Sequence, residues 1–343
     1  MEQVTTGISQ DILNHRAVSI IPESRTMENH MNRRALLHGI GAFAGVASAH
    51  RALMGANQSS HNNKEIKGEH DKDGREFSLT IPAWYYQQFD ADYALDVPEE
   101  GFGGWKKENL EFSRKHMALV VMHAWDQGTR EAFPGWWRAV PYAPRSQKIL
   151  REVFPPLLNA VRRSDIPLFH VVGGGNGYWK NLPGYKHTVS LTESDVKSYE
   201  QIPSDPLRDK LAAFRQRHCF VGQHNQKDVK KGFEQLDFAE QARPAGDEGI
   251  AENSQQLFAL CKERGVNHLV YCGFAVNWCL LLSPGGMAEM SKYGLWCSAL
   301  RQATTAVENK DTARHELCKE IALWRVALAF GFVFDVDDFI KAL

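Results

Sequence analysis

The sequence predicts an α/β fold, a three-layer sandwich with a mainly parallel sheet between flanking helices, and three observations carry that expectation. Short continuous apolar runs such as "HMALVVMHAWD" and "NHLVYCG" suit strands that are covered on both faces. Segments with helical spacing alternate with those runs, as right-handed crossovers between parallel strands require. The third is supply: 343 residues at 43% hydrophobic, with nine Trp and eighteen Phe, can close a large core.

The first 76 residues read differently from the rest. Arg33 and Arg34 lead an apolar run from Ala35 to Ala49, and Ala47-Ser48-Ala49 are small residues of the kind a signal peptidase accepts. This resembles a twin-arginine export signal and implies a periplasmic or otherwise extracytoplasmic protein. The 30 residues before Met31 are long for such a leader, so Met27 or Met31 is an alternative start. "ANQSSHNNKEIKGEHDKDGRE" then reads as a polar linker with too few apolar side chains to fold. The α/β domain is expected over residues 77–343.

Within that domain the elements follow in order. After the run from Lys115, "RSQKILREVFPPLLNAVRRSDI" has helical spacing that Pro155-Pro156 kink or divide. "IPLFHVV", closed by Gly173-Gly174-Gly175, is the next strand. Later come a helix at "NSQQLFALCKERG", the strand "NHLVYCG", a helix from about Ser283 to Tyr293 and the strand "GLWCSAL". A helix around Thr312 to Leu323 and a short strand near "FGFVFDV" complete the series. Two stretches interrupt it: the aromatic-rich residues 77–114, and a long polar insertion at about 176–246. Each suits a lid, a pocket wall or a subunit contact.

Charge narrows the function classes. Forty Lys and Arg against 41 Asp and Glu leave a net charge of -1, which disfavours nucleic acid or an anionic membrane as a general partner. No run approaches the ~18 apolar residues of a membrane span. The expected partner is therefore a small molecule, with no nucleic acid and, once the signal is removed, no membrane. Six cysteines form no compact framework and no CxxC, so neither a disulfide scaffold nor a zinc ribbon is expected. Neither a metal nor a cofactor is expected: His170 and His187 are too separated, "HCFVGQH" offers a weak set, and "GGGNG" lacks the order of a phosphate loop.

Ligands of an open parallel sheet gather outside the carboxyl ends of its strands. There the sequence places His123, Trp125 and Asp126 on one strand, Gly173 to Gly177 on a second, and Gly273 to Cys279 on a third. Trp125, Phe274 and Trp278 are candidate walls of an aromatic pocket. Cys279 is a candidate nucleophile, and also reads as a packed core thiol.

"ALVVMHAWDQ", "LLNAVRRSDIPLFHVV" and "LCKERGVNHLVYCGFAVNWCLLLSPGGMAEMSKYGLWC" resemble the isochorismatase-like cysteine hydrolases, over roughly residues 115–340 apart from the insertion. The resemblance implies a nucleophilic Cys279 at a helix start and an oxyanion hole from the backbone N–H groups of Ala275 and Cys279. It further implies a cis peptide at Phe274-Ala275 and a homo-oligomer. Where the family carries an aspartate this chain has His123, which is expected to act as the base with Asp126 orienting it. The family's lysine has no counterpart, and Arg243 is the expected charge partner, one that cannot shuttle a proton. The implied activity is hydrolysis of a small amide, imide or ester through a covalent intermediate. The alternatives are a non-catalytic member that binds a small molecule or partner, and a redox-sensing thiol.

Overall fold

The computed structural model describes residues 78–192 and 202–343. The expected export signal and linker lie outside them. Ten strands and ten α-helices are described. In chain order the strands are β1 (Ser78–Gln87), β2 (Gly104–Ser113), β3 (Met117–Met122), β4 (Trp125–Asp126), β5 (Leu168–Val171), β6 (Asp237–Phe238), β7 (Gly249–Ala251), β8 (His268–Gly273), β9 (Trp296–Thr304) and β10 (Val333–Phe334).

Eight of these form one sheet in the order β2-β1-β10-β9-β8-β3-β5-β7, parallel from β10 to β7. Every residue of β3 and of β8 is buried, which explains their unbroken apolar runs. Alternate side chains feed opposite cores. Leu119, Val121, Val270 and Cys272 enter one, while Ala118, Val120, Met122, Leu269 and Tyr271 enter the other. This is the expected mainly parallel α/β sandwich.

Helices α1 (Pro134–Ala139), α2 (Ala143–Glu152) and α3 (Phe154–Arg163) follow β4. The expected division falls at Val153, and Pro155 and Pro156 occupy the first turn of α3, where their missing N–H groups cost little. The insertion is mainly helical: α4 (Pro183–Ser190), α5 (Pro206–His218) and α6 (Gln226–Glu234), closed by β6, which pairs antiparallel with β4. Then come α7 (Ser254–Arg264), a π-helical turn (Val276–Leu280), α8 (Met287–Met290), α9 (Leu317–Ala329) and α10 (Val336–Ala342).

Three expectations need correction. Residues 77–114 do not interrupt the sheet but extend it, because β1 pairs antiparallel with β10 and β2 with β1. The helix expected from Ser283 to Tyr293 shrinks to α8 plus a 3-10 turn, since Pro284-Gly285-Gly286 break it and Gly285 has φ +74°. The helix expected from Thr312 to Leu323 begins only at Leu317. Asn309 and Thr312 bond locally in a turn, and Glu316 sits at φ +50°.

Candidate active site

Register brings the first and third predicted strand ends together. β3 and β8 pair in parallel with Met122 opposite Gly273, and the Phe274 N–H donates to Met122 O at 3.2 Å. His123 leaves β3 in the left-handed region, φ +51°, with its N–H donating to Val171 O at 3.0 Å. Gly273 has φ +125°, and a Cβ there would collide with the Met122 carbonyl. Glycine is therefore demanded where the chain leaves β8.

Beyond Gly273 the Phe274-Ala275 peptide is cis. Ala275 O accepts the N–H groups of Trp278 and Leu280, which curls the chain into the π-helical turn that carries Cys279. The turn is stitched to the segment after β9. Val276 N–H donates to Thr305 O at 2.7 Å, and the Asn277 amide both donates to Val307 O and accepts the Val307 N–H, each at 2.8 Å. Cys279 is partly exposed at this edge, and its sulfur lies close enough to Tyr142 to add to the burial that raises the Tyr142 phenol.

A pocket of about 230 Å³ opens beside the turn, lined by Tyr142, Arg145, Phe220, Trp278, Val307 and Lys310 among others. Trp278 meets Phe220 edge to face at 5.4 Å. Arg145 pairs with Glu316 at 3.1 Å. Burial opposes ionisation of the neighbouring Glu308. Its bonds from the Cys318 and Lys319 N–H groups, with the Thr312 hydroxyl, outweigh that and hold its carboxyl below the usual range. The pocket thus combines aromatic walls with the charged side chains of Arg145, Glu308 and Lys310.

The other predicted residues fall in distinct places. The His123 ring is buried, stacked on Trp125 at 4.6 Å and 17°, and faces Gly173, where any Cβ would stand 3.2 Å from its Nε2. His123 and Trp125 share a cavity of about 10 Å³ with His170 and Tyr178. Asp126 is exposed, and its Oδ1 accepts the Gly128 N–H at 2.8 Å. Arg243 gives its guanidinium to Asp237 at 2.6 Å, and its carbonyl accepts from Arg162. Phe274 is not a pocket wall: it is buried in the core and stacks on Phe154 at 5.9 Å and 14°. Trp125 likewise lines the small cavity rather than the large pocket, which leaves Trp278 as the predicted aromatic wall there.

Tyr142, Arg145 and Phe220 were not predicted. They lie far from Cys279 in sequence, and no local pattern marks them. All six cysteines are free. Burial pushes the Cys261 and Cys297 thiols up to about 12 and raises Cys272 further, so these three are inert packing. Among the described residues no three His, Cys, Asp or Glu side chains gather as a metal site.

No family model and no curated protein matches the chain. Among the solved structures it matches are cysteine hydrolases and isochorismatase-family proteins of low identity. It is similar to a cysteine hydrolase from Pseudomonas syringae pv. phaseolicola 1448A at 15% identity, covering 66% of this chain and 92% of that one, with a TM-score of 0.41. It is similar to an isochorismatase-like hydrolase from Alkaliphilus metalliredigens at 17% identity, over 66% and 98% of the two chains, with a TM-score of 0.39. It is also similar to N-carbamoylsarcosine amidase from Thermoplasma acidophilum at 14% identity, over 65% and 97%, with a TM-score of 0.36.

Proposed function

We propose that the chain is an isochorismatase-like cysteine hydrolase that cleaves a small amide, imide or ester. One observation carries this reading: the β3–β8 register brings the chain at His123 beside the start of the turn that carries Cys279, at the carboxyl ends of two central strands, and Trp278 of that turn walls a pocket with Tyr142. In the proposed reaction His123, helped by Asp126, takes the thiol proton and the sulfur attacks the carbonyl carbon. The oxyanion is held by the Ala275 and Cys279 N–H groups. The carbon–nitrogen or carbon–oxygen bond then breaks, and the leaving amine or alcohol takes the proton. Water cleaves the resulting thioester and returns the thiol. The reading extends to export by the twin-arginine route.

A second reading has its own support. β7 ends at Ala251, and the next residue, Glu252, accepts the Tyr185 hydroxyl at 2.6 Å, so no lysine stands there. A chain without that cation suits a non-catalytic pocket that binds a small molecule or partner. The two are separated by screening small amides and esters with wild type, Cys279→Ala and Tyr142→Phe, alongside iodoacetamide labelling. A hydrolase loses all turnover in Cys279→Ala and about tenfold or more in Tyr142→Phe, if the phenol supports the sulfur or the oxyanion. One thiol should label below the ordinary thiol range of ~8.5 and vanish in Cys279→Ser. Uniformly slow labelling with no turnover leaves the binding reading standing.

A further inference from the structure

Two exposed surfaces of opposite charge lie outside the site. Every residue from 202 to 220 is exposed, so α5 buries no side chain against the other described residues. Leu207, Leu211 and Phe214 recur at i, i+4 and i+7 on one face, 69%, 64% and 52% exposed. Helical geometry sets Arg208 and Arg215 on one flank of that stripe, and Lys210 and Arg217 on the other. Asp209 is the only carboxylate within α5. The second surface is the loop between β1 and β2, "QFDADYALDVPEEG". It exposes Phe89, Tyr93, Leu95 and Val97 beside Asp90, Asp92, Asp96, Glu99 and Glu100, and holds no Lys or Arg. Among the described residues no ion pair uses any of these ten charged side chains.

We propose that a second copy of this chain docks here, the basic apolar helix of each protomer on the acidic apolar loop of the other. Charge complementarity selects this occupant, because the whole chain carries a net charge of only -1 and offers no general attraction. Direction fits as well. β1 runs antiparallel to β10, so its loop leaves the sheet where the parallel strands begin. Phe220, just beyond α5, reaches the pocket beside Trp278, outside the end of β8. Two chains side by side and antiparallel exchange both contacts about one two-fold axis, which closes the assembly. The site feels the contact, because α5 leads through Cys219 into Phe220 of the pocket wall.

Sedimentation velocity of the full chain across protein concentration and salt tests this. The expected result is a dimer that dissociates as salt shortens the screening length from ~8 Å to ~3 Å. Arg215→Glu with Arg217→Glu, and separately Asp92→Lys with Asp96→Lys, should each sediment as monomers, and an equimolar mixture of the two should recover a dimer. All four positions are exposed, so thermal melts should match wild type. If a charge variant does not fold, Leu211→Ser with Phe214→Ser tests the same face without charge change. A monomeric wild type, variants that still dimerise, or a mixture that stays monomeric overturns the proposal. So does a monomer that instead co-sediments with phosphatidylglycerol vesicles, which would assign the helix to a lipid surface.

Discussion

His268 shows how a single side chain ties stability to pH. Ser298 Oγ accepts the Phe332 N–H and meets His268 Nε2 at 2.7 Å, and burial keeps the imidazole neutral. Burial lowers its pKa to about 4 from 6.5. Between those values the unfolded chain binds a proton that the folded chain refuses, so stability falls as pH drops from 6.5 towards 4 and is unaffected by this group above 6.5. The full loss is about 3 kcal/mol, at 1.36 kcal/mol for each pKa unit. Urea titrations should find it, and His268→Gln should flatten that slope; an equal slope in the variant would refute the assignment. The sequence showed His268 only as the first residue of a strand. It gave no sign of Ser298, which lies thirty residues away and meets the imidazole only through the β8–β9 pairing. Cys279 was readable because glycine, a small residue and a cysteine fall within seven positions of one another. Tyr142 was not, since its place beside the sulfur depends on the packing of another element.

Elements were readable wherever both faces are covered. The apolar runs of β3, β5 and β8 identify themselves, because no polar face interrupts them. The hairpin of β1 and β2 was not readable as part of the sheet. β2 carries Lys106, Lys107, Glu108 and Glu111 along a free edge, the composition of a loop and equally of a strand guarded against edge pairing. The insertion hid its order in a similar way: α6 has a polar majority and fully buries just two of its residues, Val229 and Gly232. At Gly232 any Cβ would overlap the Trp136 ring of α1. Gly232→Val should therefore cost about 1–3 kcal/mol by overpacking and drive α1 and α6 apart. Trp fluorescence and local hydrogen exchange over residues 134–139 and 226–234 would register it, whereas Gly246→Val, which strains the backbone at φ +59° but has open space around its Cβ, should leave the packing of α1 on α6 unchanged.

For the whole molecule, the question is whether the hairpin is an appendage or part of one cooperative body. Ile81 is fully buried in the same core as Val270 and Cys272. Lys107 of β2 reaches Asp335 at 2.7 Å and Asp338 at 2.6 Å, and the Trp84 indole donates to Asp335. Ile81→Ala should accordingly cost about 2–5 kcal/mol and shift the entire denaturation curve. Cys272 labelling, which requires opening of the central strands, should shift with it; a change confined to the hairpin would show two bodies. The overall class was legible because it follows from covered strands alternating with helices. The pocket was not, because Tyr142, Phe220, Trp278 and Val307 converge only once the topology is set. The amide clasp between Asn277 and Val307 gives that convergence a further meaning. A wall already fixed to the floor has little conformational entropy left to lose, so a ligand entering this pocket meets a preorganised surface and keeps more of its contact energy as affinity.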